Sequence, residues 1–117
     1  MHQFKELLVW QKAVDLVVSV YDALSSFPEE EKFGLSSQIK RAATSIPSNI
    51  AEGAGRNTNK DFRYFLSISK GSINELQTQL IIAQRLNLLS EEKLQSLEER
   101  IVEISKMLVG LMKTLEK

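Results

Sequence analysis

Cysteine is absent from this 117-residue chain, so it can build neither a disulfide scaffold nor a cysteine-based zinc site. Histidine occurs once, as His2 beside the N-terminus. That removes histidine-based acid–base catalysis and the Glu-x-x-His pairs of di-iron helical bundles. Two prolines and five glycines are too few to punctuate a turn-rich β-protein. No unbroken apolar run approaches the ~18 residues that a membrane span needs. Residues 1–12 mix Lys5 and Glu6 into an apolar pattern, unlike the basic head and apolar block of a secretory leader. The expectations are a cytoplasmic protein with no membrane partner.

A surplus of one charge sign is also missing. Fifteen basic residues balance fifteen acidic ones, so there is no global pull toward nucleic acid or membrane. The charges are nevertheless unevenly placed. Residues 34–71 carry Lys40, Arg41, Arg56, Lys60, Arg63 and Lys70 against Glu52 and Asp61, a surplus of four. Residues 1–33 carry a deficit of three. The bland account is chance variation along solvated helix faces; the sharper one is a basic surface on the middle of the chain.

What the chain has in quantity is Leu, Ile, Glu, Lys, Gln and Ala, most of them good helix formers. Its length fits one domain over residues 1–117. Leu94, Leu97, Ile101, Ile104, Leu108, Leu111 and Leu115 alternate spacings of three and four, the seam of an amphipathic helix. Ser90 is its expected N-cap, Glu91 and Glu92 suit the positive end of its dipole, and Lys113 and Lys117 suit the other. In the first segment, Leu7, Trp10, Val14, Val17, Tyr21 and Leu24 form the predicted core stripe, ended by Pro28. A polar connection through Glu29, Glu30, Glu31 and Lys32 follows, closed by Gly34.

The second segment starts near Leu35 and places Leu35, Ile39, Ala42, Ala43, Ile46 and Ile50 on one face. Pro47 falls inside it, removing a donor to the Ala43 carbonyl, and predicts a kink. Gly53-Ala54-Gly55 marks the end, where glycine can take a left-handed cap. The third segment opens at Thr58, with Asp61 completing a capping box. Phe62, Phe65, Leu66, Ser69, Ile73, Leu76, Leu80 and Ala83 line one side, and Asn87 and the turn before Ser90 close it. Four helices with short connections predict an all-α, antiparallel up-down-up-down four-helix bundle with helix 2 kinked at Pro47.

Val9, Leu16 and Val20 in the first helix, and Val102, Met107, Val109 and Met112 in the last, lie off these seams. Either they widen the core or they meet another copy of the chain. On the second helix Gln38, Arg41, Ser45, Asn49, Glu52 and Arg56 form a polar stripe beside the apolar face. It reads as a solvated flank, or as a hydrogen-bonding face that sets packing against another helix or subunit. Asn49 is its key member, because a buried amide must be paired.

No P-loop is present, and Ser36, Ser37 and Ser45 have no partner base. Glu52 and Glu75 lack the second ligand pair that a carboxylate metal site needs. The chain is therefore expected to be no enzyme, with no catalytic residue, no metal and no cofactor.

Several runs together resemble the 23S rRNA-intervening-sequence protein family. They are Trp10-Gln11-Lys12-Ala13, Phe27-Pro28, Gly34-Leu35, Gln38-Ile39-Lys40-Arg41-Ala42, Ser45-Ile46-Pro47-Ser48-Asn49-Ile50-Ala51-Glu52-Gly53, Gly71-Ser72 and Glu75-Leu76. The resemblance covers about residues 5–90, with a matching fourth helix beyond. It implies a small four-helix bundle that assembles as a homopentamer. The family name records where some of its genes lie, in insertions within ribosomal RNA genes, and no catalytic residue comes with it. A related branch, the accessory variability determinant of diversity-generating retroelements, partners a reverse transcriptase and binds nucleic acid through a basic surface. This chain departs from that branch in its zero net charge.

Two functions follow as expectations. One is a non-enzymatic, oligomeric accessory protein that binds RNA or DNA, with Lys40, Arg41, Arg56, Lys60, Arg63 and Lys70 as phosphate contacts. The other is a protein-binding scaffold with no nucleic-acid role, suggested by the neutral balance and the surplus apolar surface.

Overall fold

The structure, a computed structural model, describes residues 2–31 and 34–116. The expected roles of Lys32 in the first connection and of Lys117 at the last helix end lie outside these residues. Four α-helices account for most of the chain: α1 Leu8–Leu24, α2 Leu35–Ala54, α3 Asn59–Arg85 and α4 Glu91–Thr114. Two short 3-10 turns, Phe4–Glu6 and Glu29–Glu31, precede α1 and α2, and no strand occurs among the described residues. α1 packs on α2 and α4, and α3 packs on the same two helices. The pairs α1/α3 and α2/α4 make no close backbone approach among the described residues. The molecule measures 46 × 24 × 20 Å.

The helix ends follow from local chemistry. Thr58 Oγ1 accepts the Asp61 N–H at 3.1 Å, and Ser90 Oγ accepts the Lys93 N–H at the same distance, each satisfying one orphan donor of a first turn. α3 ends with Asn87 at φ 63°. Leu88 N–H reaches the Ala83 carbonyl and Asn87 N–H the Gln84 carbonyl, a Schellman closure. Asn is among the few side chains that tolerate this left-handed position.

The α4 seam is seated as its periodicity predicts: Leu94, Leu97, Ile101, Ile104, Leu108 and Leu115 are buried, and Leu111 is half-buried. The α2 and α3 faces also turn inward at Ile39, Ile46, Ile50, Phe62, Leu66, Ile73, Leu76 and Leu80. α1 is different. Its buried row is Val9, Ala13, Leu16, Val20 and Leu24, with Ala23 beside it. The expected stripe is displaced: Leu7, Trp10, Val14 and Val17 are half-buried and Tyr21 is exposed. α1 carries two overlapping rows of three-and-four spacing. The inner one contains alanines, which fit where helices approach closely but weigh little in a hydrophobicity pattern. Val9, Leu16 and Val20 thus belong to the core. Met107 and Met112 pack partly against it, while Val102 stays exposed.

Gly53 also has a different role from the one expected. No described residue of glycine type has a positive φ. Gly53 lies buried inside α2, and Gly55 caps the helix in the right-handed region at φ −84°. A Cβ on Gly53 would stand 2.8 Å from Phe65 Cβ and 2.9 Å from Phe62 Cδ1. The glycine is there so that α3 can lie against α2. Small side chains continue the contact: Ser69 Oγ donates to the Ile46 carbonyl at 2.9 Å, and Ser45 and Ser72 share a hydrogen bond of 2.8 Å.

α2 is helical through Pro47. Thr44 Oγ1 and Ser48 Oγ donate back to the carbonyls of Lys40 and Thr44, on either side of the proline's turn. The N-terminal segment is tied down by His2 N–H on the Ala54 carbonyl and by the His2 ring against Phe62. No helix of the described residues is long and apolar enough to cross a membrane.

Candidate nucleic-acid interface

The six basic residues singled out from the sequence do not form one cluster. Lys40 is half-buried on the α1-facing flank of α2, its ammonium 5.0 Å from the centre of the Tyr21 ring. Arg63 is half-buried on the opposite side of the pair and donates to the carbonyl of Leu115, the residue that ends α4. It therefore closes an otherwise open helix end. Lys70 lies seven residues further along α3, two turns away on the same flank, and is exposed.

Arg41, Arg56 and Lys60 are also exposed. Arg56 is held from two sides. Its guanidinium lies 3.2 Å from a Glu52 carboxylate oxygen and 4.6 Å from the centre of the Phe65 ring. Lys60 occupies the first turn of α3, and Arg56 lies within the short α2–α3 connection just before it. Arg41, Lys60 and Lys70 are neither ion-paired nor stacked among the described residues, so their charges are left to solvent.

The polar stripe of α2 runs along its α3 side. Gln38, Arg41, Glu52 and Arg56 are exposed; Ser45 and Asn49 are half-buried. Asn49 Nδ2 donates to the Ser45 carbonyl at 2.9 Å and to Ser45 Oγ at 3.0 Å, and Ser45 in turn meets Ser72 of α3. Asn49 is thus paired mainly within its own helix. The stripe reaches α3 through the Ser45–Ser72 hydroxyl pair, which fixes the local register of the two helices, and through Arg56 on the Phe65 ring.

Two polar groups lie buried on α3. Ser69 stands on the apolar face, and its hydroxyl is fully buried and bonded across the interface. Gln79 is 8% exposed, and its Oε1 has no hydrogen-bond partner among the described residues. Nothing in the spacing distinguishes Gln79 from the exposed glutamines, because it sits at the edge of the apolar face. Across the molecule, Lys12 and Glu103 pair at 3.2 Å between α1 and α4, and Gln77 donates to Glu98 at 3.0 Å between α3 and α4.

A solved structure shares this fold. It comes from Bacteroides thetaiotaomicron VPI-5482 and is described as a protein with unknown function from the S23 ribosomal protein family. The two align with a TM-score of 0.84 and 28% identity, over 91% of this chain and 99% of that one. No protein of curated function matches the chain. The model of the 23S rRNA-intervening sequence proteins matches residues 5–110, nearly the whole length of the four helices. The chain belongs to the 23S rRNA-intervening sequence protein family.

Proposed function

We propose that the protein is a non-enzymatic, oligomeric accessory protein of the cytoplasm that binds RNA or DNA through basic side chains of α2 and α3. The observation that carries this reading is the solvent exposure of Arg41, Arg56, Lys60 and Lys70 on one helix pair of a chain with zero net charge. A balanced total thus hides a local surplus.

The assembly in this proposal is a homopentamer of antiparallel up-down-up-down bundles. Contacts along the α2–α3 and α3–α4 interfaces support the antiparallel course. Gly53 meets Phe62 and Phe65 while Ser45, a little over two turns earlier, meets Ser72. Arg63 reaches Leu115 while Gln77, later in α3, reaches Glu98, earlier in α4. A bend of α2 at Pro47 belongs to the same proposal, supported by the missing donor and the hydroxyl back-bonds beside it. A relation to the accessory proteins of diversity-generating retroelements would add a reverse transcriptase as protein partner. Ring assembly would repeat a weak local charge into an extended surface.

Light scattering tests the assembly: a mass near five chains is expected, and a monomer at all protein concentrations overturns it. Oligonucleotide binding tests the surface: the combined variant Arg41→Gln, Lys60→Gln, Lys70→Gln should bind RNA far more weakly than the parent at equal fold stability. Undiminished binding would remove these residues from the interface.

A scaffold for another protein is the second reading. It is favoured by the exposure of large apolar side chains such as Val18, Tyr64 and Leu86. Recovery of a protein partner that survives nuclease treatment, with no oligonucleotide affinity, would establish it over the first.

A further inference from the structure

At the α2–α3 turn, one aromatic ring stands where burial does not require it. Tyr64 is 61% exposed. Its ring lies edge-on to Phe65, with centroids 5.3 Å apart and planes at 79°. On Phe65 rests the Arg56 guanidinium, 4.6 Å from the ring centre and 44% exposed at its side chain. Tyr64, Phe65 and Arg56 therefore form a continuous row of flat groups. Lys60 stands one turn before Tyr64 on the same side of α3, since residues four apart are neighbours on a helix. Asn57, Thr58 and Asn59 line the adjoining turn and are all exposed.

This combination has a specific chemistry. An exposed aromatic face accepts the π-face of any unpaired base, and a guanidinium plane offers a second such surface. A nearby ammonium and an arginine neutralise the flanking phosphates. In a duplex the base faces are already stacked on one another and are closed to a side chain on a convex helix surface. Base-paired nucleic acid would then meet only the charges.

We infer that the α2–α3 turn is a stacking site for single-stranded nucleic acid, with Tyr64 as the base platform and Arg56 and Lys60 as the phosphate contacts beside it. The inference rests on the nucleic-acid reading above and narrows its ligand to unpaired strands. The fixed position of Arg56 matters here: Glu52 and Phe65 hold its guanidinium in place before any ligand arrives. The polar amides of Asn57, within that turn, and of Asn59, the first residue of α3, are exposed and suited to base edges.

The test compares a short labelled RNA single strand of mixed sequence, carrying 2-aminopurine, with the same strand in a duplex, by fluorescence anisotropy on the full chain. The single strand should bind more tightly, and 2-aminopurine fluorescence should be quenched on binding. Tyr64→Ala and Tyr64→Leu should each weaken the single strand about tenfold and leave the duplex unchanged. Tyr64→Phe should restore both affinity and quenching. Because Tyr64 is exposed, thermal melts of the variants should match the parent.

Several results overturn the inference. If duplex and single strand bind alike and Tyr64→Ala is silent, the basic surface stands and the stacking site falls. If Tyr64→Leu binds as well as the parent, the ring serves as apolar surface only. If Tyr64→Ala lowers the mass in light scattering, Tyr64 belongs to a contact between copies. If the parent binds neither form, the nucleic-acid reading fails and the stacking site with it.

Discussion

Gly53→Ala should destabilise the protein, although alanine is the better helix former. Gly53 sits inside α2 with a helical backbone. Considered alone, the substitution should gain about 1 kcal/mol from helix propensity. The added methyl would stand 2.8 Å from Phe65 Cβ, 2.9 Å from Phe62 Cδ1 and 3.2 Å from the Phe62 carbonyl oxygen. Two of these atoms cannot be swung aside by a rotamer change, and Phe62 is only 2% exposed. α3 must therefore shift off α2, disturbing the Ser45–Ser72 and Ser69–Ile46 hydrogen bonds further along the contact. Overpacking of this kind costs about 1–3 kcal/mol, so after the propensity gain a net loss of up to about 2 kcal/mol is expected. Gly71 and Gly110 provide the control. Both are helical and exposed, and a Cβ there meets nothing within 4 Å. Gly71→Ala and Gly110→Ala should each gain about 0.5–1 kcal/mol. Thermal or urea unfolding followed by circular dichroism, at one fixed protomer concentration, reads the difference. Each kcal/mol moves Tm by about 4–6 °C in a domain of this size. If Gly53→Ala proved as stable as Gly71→Ala, the close-approach account of the α2–α3 contact would be refuted.

Further substitutions probe the fold. Leu16→Ala should cost about 2–5 kcal/mol, whereas Val18→Ala, at a position 65% exposed, should stay within about 0.5 kcal/mol; the reverse order in urea unfolding would refute the buried row assigned to α1. Gln79→Leu should stabilise by about 1 kcal/mol because it removes a buried acceptor without a partner, and a loss of that size would show that Oε1 is bonded in solution. Asn87→Ala should lose about 1 kcal/mol at its left-handed position while Asn87→Gly loses nothing, and equal melting of the two variants would argue against the Schellman closure.

The fold was legible where side-chain size and burial agree. In α4, large aliphatic residues occupy the seam and polar ones the outside, so period and core coincide. Thr58, Ser90 and Asn87 announced helix ends through hydrogen bonds made within one turn, and such bonds need no knowledge of partners. In α1 the large residues are spread round most of the helix. The choice between two rows was made by alanines at 13 and 23, which fit against a close neighbour that the sequence does not display. Gly53 illustrates the same limit: it reads as a helix end, while its purpose lies in Phe62 and Phe65 of another helix. For the basic residues, sequence supplies the charge but not its use. Arg63 is spent on the end of α4 and Lys40 on the Tyr21 ring, leaving Arg41, Arg56, Lys60 and Lys70 facing solvent.

The most direct test of the proposed function is the affinity for a short RNA single strand measured across a range of salt concentration. Each neutralised phosphate of a single strand contributes about −0.7 to the slope of log K against log salt. Contacts from Arg41, Arg56, Lys60 and Lys70 of one chain predict a slope near −3 on that basis, and a steeper one if neighbouring copies share the strand. A slope near zero, or no binding at low salt, would contradict the account and leave the protein-binding scaffold in its place.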